Sequence, residues 1–108
     1  GRISGTVTNT IQQLPPKPAD GPDVRTMLTD LVTALNEALA SAQLSEQAAV
    51  DAAKKVNEVA EAAKLPKQPG SLDKAKDGLT MLGYIVVGAT AVADKVTALK
   101  NAIAGWFA

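Results

Sequence analysis

The chain has 108 residues, which is enough for one domain. Its eleven basic and eleven acidic residues cancel to a formal charge of zero, which argues against a nucleic-acid-binding surface because such a surface needs a basic patch. Hydrophobic residues make up 46% of the chain and aromatic residues only 3%. Twenty residues are alanine. This composition is typical of a helical bundle, since alanine favours helices and lets them approach closely.

The N-terminal segment predicts a strand rather than a helix. Over residues 5–12, Val7 and Ile11 alternate with threonines in a period-2 pattern. A single strand needs a neighbour for its backbone groups, so we expect it to pair with a missing part of a parent protein or with the same strand of another copy. A flexible linker to a preceding domain is the alternative. The next segment, PPKPADGP at 15–22, has four prolines and predicts a stiff, extended, helix-free connector.

Apolar residues spaced by three and four predict helices over the rest of the chain. Ser45 is placed to cap the second helix, and Pro66 to stop it. The last two helices are separated at Gly88, or form one long helix kinked there. We therefore expect an all-α fold: a small four-helix bundle, or three helices with the last kinked near Gly88, after a short β-strand-like arm. The predicted helices cover 23–42, 46–64, 72–87 and 91–106.

The residue types for most catalytic sites are missing. The chain has no histidine and no cysteine, so thiolate nucleophiles, disulfides and the usual transition-metal ligands are excluded. Ser71 and Lys74 could form a Ser–Lys pair, but helix capping explains Ser71 better. Asp73 and Asp77 lie one turn apart beside lysines, which favours a solvated first turn over a cation site. We expect a protein without enzyme activity, metal or cofactor.

One uncharged stretch raises the question of membrane contact. MLGYIVVGATAVA, residues 81–93, carries no charge over thirteen positions, whereas a spanning helix needs about twenty apolar residues. A buried helix within a bundle is the preferred interpretation, and insertion of 72–107 as a helical hairpin is the alternative. The helical pattern also contains Gly78, Gly83 and Gly88, spaced by five, which favours close helix approach and local softening over a phosphate-binding loop. We expect a cytoplasmic protein that does not contact membranes.

The order of these segments resembles a known kind of module. IQQLPP, then LTDLVTALNEAL, then LSEQAAVDAAKKVNEVAEAAKLP, then DKAKDGLTMLGYIVVGATAVADKVTALKNAI follow one another along nearly the whole chain. This pattern resembles the small helical modules at the C-terminal ends of multidomain bacterial proteins, often cyanobacterial, that carry pentapeptide repeats or signalling and defence effector domains. The resemblance implies a non-catalytic adaptor or oligomerisation role and transfers no site residues.

These observations predict an interaction module that belongs to a larger bacterial signalling or defence protein. Residues 1–22 are expected to form the arm and connector, and residues 23–108 the helical domain. The expected partner is a second copy or another protein, and not nucleic acid. The alternatives are a membrane-engaging hairpin and a plain structural cap. The candidate interface residues are Val7, Ile11, Tyr84, Trp106 and Phe107.

Overall fold

The computed structural model describes residues 5–107, and the regular secondary structure in that range is all helical, with no strand. The all-α prediction is confirmed, whereas the count of four helices is wrong because there are five. The helices are α1 (Thr6–Gln12), α2 (Val24–Ala40), α3 (Glu46–Lys64), α4 (Ser71–Ile85) and α5 (Thr90–Phe107).

The predicted strand-like arm is in fact α1. Val7 and Ile11 are four positions apart, so in a helix they lie on one face, and both are buried with Leu14 in the common core. The helix packs against α3 and, less extensively, against α2. Within it, the Thr10 hydroxyl donates a hydrogen bond to the carbonyl oxygen of Thr6 at 2.9 Å. Burial against α3 decides the conformation, because strand preference reflects packing more than backbone chemistry.

The proline-rich connector returns the chain from α1 to α2. It contains no helix, as predicted, but it bends where the Gly21 amide donates to the Pro18 carbonyl at 3.1 Å. On the far side, the Arg25 guanidinium donates to the carbonyl oxygens of Gln12 and Leu14. This side chain therefore ties the end of α1 to the start of α2 by satisfying carbonyls that the helix leaves free.

Local signals explain the ends of the longer helices. Asp23 caps α2 by accepting from the Thr26 amide at 3.1 Å, and Ser45 caps α3 by accepting from the Ala48 amide at 3.1 Å. The predicted range of α3 is confirmed to the residue. Since α4 ends at Ile85 and a turn precedes α5, the description as one kinked helix is wrong.

The core lies where α3, α4 and α5 meet α1 and α2. The α3–α4 contact is the most extensive, and the two helices pack closely at Gly78, where an added Cβ would lie 2.9 Å from Cγ2 of Val59. The close approach predicted for this glycine is thus confirmed, whereas the one predicted for Gly83 is wrong, because an added Cβ there would have nothing within 4 Å. At the other end, the Trp106 indole N–H donates to the Ala63 carbonyl oxygen at 2.9 Å in a buried hydrogen bond that joins α5 to α3. The large side chains with almost no exposure are Leu28, Leu31, Leu35, Leu79, Leu82, Leu99, Ile103, Val24, Val56, Val59, Val86 and Val92.

Candidate functional site

The five residues predicted as an interface do not lie together. Val7 and Ile11 are buried between α1 and α3, with 6% and 3% of their surface exposed, so the contact that sequence reasoning assigned to another chain is made within this one. Trp106 is buried, and Phe107 is partly buried against the core. Tyr84 is different, because 73% of its surface is exposed.

Tyr84 belongs to an exposed apolar surface, which we call the α4 face and define as Met81, Tyr84 and Val87. These residues are three positions apart at the end of α4 and in the turn that follows, and they expose 47%, 73% and 78% of their surfaces. The buried side of the same segment is made by Leu82 and Val86. The uncharged stretch 81–93 is therefore divided between the core and the α4 face.

Sequence reasoning predicted Tyr84 and missed its two neighbours. A signal for them was present. Once Leu79, Leu82 and Val86 are assigned to the buried stripe of a helix, positions 81, 84 and 87 fall on the opposite side. Three large apolar residues on a solvent-facing side depart from the usual polar pattern of an exposed helix surface.

A groove lies beside the α4 face, between α3 and α4. It is open to solvent and has a volume of about 420 Å³. Its lining includes Gly78, where α3 and α4 approach closely. One wall carries an ion pair between the Lys55 ammonium and the Glu58 carboxylate at 3.0 Å. The groove therefore carries both acidic and basic groups. Its lining is Lys55, Glu58, Gly70, Asp73, Lys74, Asp77, Gly78 and Met81.

Comparison of the chain with protein-family models, with curated proteins and with solved structures gives no match. The functional assignment therefore rests on the surface itself.

Among residues 5–107 there is no group of three histidine, cysteine, aspartate or glutamate side chains placed to hold a metal ion. Within the same part of the chain, no helix is both long enough and apolar enough to cross a membrane. The α4 face exposes an aromatic ring, a thioether and a branched aliphatic side chain next to a groove with charged side chains.

Proposed function

We propose that the chain is a non-catalytic protein-interaction module that binds its partner through the α4 face. The observation that carries this proposal is the exposure of Met81, Tyr84 and Val87 at the end of α4 and in the turn after it. Tyrosine and methionine are enriched where proteins meet, because each buries a large area on binding. Covering such a surface removes apolar area from water, which stabilises a complex by roughly 25 cal/mol per Å² before the cost of association.

The wider setting is proposed from the sequence pattern. The resemblance to C-terminal helical modules supports a place in a larger bacterial signalling or defence protein, in the cytoplasm, with an adaptor or oligomerisation role. A structural cap would use the same α4 face against another part of that protein. A membrane-inserting hairpin of 72–107 is supported less well, because the inner sides of α4 and α5 are already used in the core.

Site-specific photocrosslinking tests the proposal. A photoreactive phenylalanine analogue is placed at position 84, where it keeps an aromatic ring, and in a matched control at the exposed position 97 of α5. After illumination in an extract of the organism that encodes the chain, mass spectrometry identifies the product. We expect a defined protein adduct from position 84, absent from position 97, that excess unlabelled chain suppresses and excess Tyr84→Ser chain does not.

Two results would overturn the proposal. Equal labelling from positions 84 and 97 would mean that the α4 face has no specific partner. Adducts to lipid in place of protein would favour the membrane-engaging alternative, which release of dye from vesicles would then establish.

A further inference from the structure

We infer that the partner of the α4 face is a second copy of the chain, bound in a twofold contact in which each Tyr84 enters the other copy's α3–α4 groove. This inference rests on the proposed function and adds the identity of the partner and the geometry of the contact.

The geometry follows from the positions of Tyr84 and the groove on one helix. Tyr84 projects near the end of α4, and Asp77 lines the groove seven residues earlier. Seven residues are two turns of helix, about 10.5 Å, so the ring and the groove open to the same side. A twofold axis perpendicular to α4 between Thr80 and Met81 exchanges the two positions. Two antiparallel copies of α4 then make the same contact twice, which is the closed symmetry of most protein dimers.

The chemistry of the two positions is complementary. In this arrangement the Tyr84 hydroxyl meets Asp77 of the second copy, whose carboxylate accepts its hydrogen bond. Val87, in the turn after α4, lies at the edge of this contact. Met81 lies beside the axis, facing its symmetry mate. Tyr84 and Met81 are thereby covered.

Charge favours a second copy over a strongly charged partner. The groove is lined by two lysines and three acidic residues, and the whole chain has a formal charge of zero. Two copies therefore approach without net repulsion, whereas a strongly acidic or basic partner would meet like charges along the groove. The apolar area of three side chains per copy is small for a permanent interface, so we expect a weak dimer.

Sedimentation equilibrium of the purified chain from about 10 µM to about 1 mM tests the inference. We expect the weight-average mass to rise towards that of a dimer. Tyr84→Ser is expected to weaken association at least tenfold, whereas Val50→Ser, which removes an exposed apolar side chain on α3, leaves it unchanged. Circular dichroism verifies that each variant is folded. A chain that stays monomeric at 1 mM, or a dimer that is indifferent to Tyr84→Ser, would overturn the inference.

Mixing two variants tests the twofold geometry. Tyr84→Ser lacks the ring but keeps the groove, and Asp77→Trp keeps the ring but blocks the groove. Each alone loses both contacts, while a mixed pair retains one of the two. We therefore expect the mixture to associate more strongly than either variant alone, and a mixture no stronger than its components would contradict the arrangement. If the purified chain is monomeric while position 84 still crosslinks to a different protein, the inference fails and the proposed function stands.

Discussion

At the scale of single residues, two glycines of α4 have opposite surroundings. An added Cβ at Gly78 would lie 2.9 Å from Val59, whereas one at Gly83 would have nothing within 4 Å. Gly83→Ala should raise the free energy of unfolding by about 1 kcal/mol, because alanine favours the helix. Gly78→Ala should lower it by about 1–2 kcal/mol, since overpacking against a buried valine outweighs that gain. Urea denaturation measures both. A stabilising effect of the same size at both positions would show that α3 and α4 are farther apart.

Ala42 adopts a conformation that normally belongs to glycine. Its φ is +63°, and the amides of Ala42 and Gln43 donate to the carbonyls of Leu39 and Ala38, which is the hydrogen-bond pattern that ends many helices. Ala42→Gly should therefore stabilise the protein by up to about 1 kcal/mol, because it removes a left-handed strain. The matched control Ala98→Gly, in the middle of α5, should cost about 1 kcal/mol. Thermal melts distinguish the two signs, and a loss at both positions would contradict the strain at Ala42.

At the scale of elements, the start of α2 depends on an ionised carboxylate. Hydrogen bonds from the Thr26 amide, and then from its hydroxyl, hold the pKa of Asp23 below its ordinary value. The folded state therefore favours the charged form. The resulting stability is fully present above the unfolded-state pKa and is lost as the pH falls through the lowered folded-state pKa.

Asp23→Ala should accordingly cost about 1 kcal/mol at pH 7, and its difference from the wild type should shrink in acid. Asp23→Asn is the matched control, because its side chain can cap the helix without titrating. Chemical denaturation from pH 7 to pH 2 measures the three proteins. An Asp23→Ala penalty that stays constant over this range would contradict the role of the charge.

The packing of α1 gives a second prediction at this scale. Ile11 is buried against α3, so Ile11→Ala should lower the free energy of unfolding by about 2–4 kcal/mol through lost burial and the cavity left behind. Thr8→Ala, on the exposed side of the same helix, should change it by less than about 0.5 kcal/mol. Equal melting temperatures for the two variants would mean that α1 does not pack as described.

The conformation of α1 could not be predicted from its local sequence. Val7 and Ile11 fit a period of two and also a helical spacing of four, so the local pattern cannot choose between a strand and a helix. The choice comes from α3, which is far away in the sequence. In contrast, α3 was predicted to the residue because its start and stop are local: Ser45 caps it and Pro66 follows it. In the candidate site, the sequence pointed to Tyr84 because it is a lone aromatic residue. Predicting that Met81 and Val87 are also exposed requires knowing which side of α4 is buried.

At the scale of the whole molecule, the five helices share one core, and Trp106 is buried in it. The indole N–H donates to the Ala63 carbonyl, one of the last carbonyls of α3, which the helix itself leaves unsatisfied. This single hydrogen bond fastens the end of α5 to the end of α3. A chain of this size with one core is expected to unfold in one cooperative step.

We therefore expect tryptophan fluorescence and far-ultraviolet circular dichroism to give superimposable urea transitions, because Trp106 is the chain's one tryptophan while dichroism reports on all helices. Trp106→Phe should lower the free energy of unfolding by about 1–3 kcal/mol, since it leaves the buried Ala63 carbonyl without its donor. Both transitions should therefore move to lower urea concentrations. The variant is followed by dichroism and by its tyrosine fluorescence. If fluorescence changed at lower urea than dichroism in the wild type, α5 would detach before the remaining helices unfold, and the core would be two cooperative units.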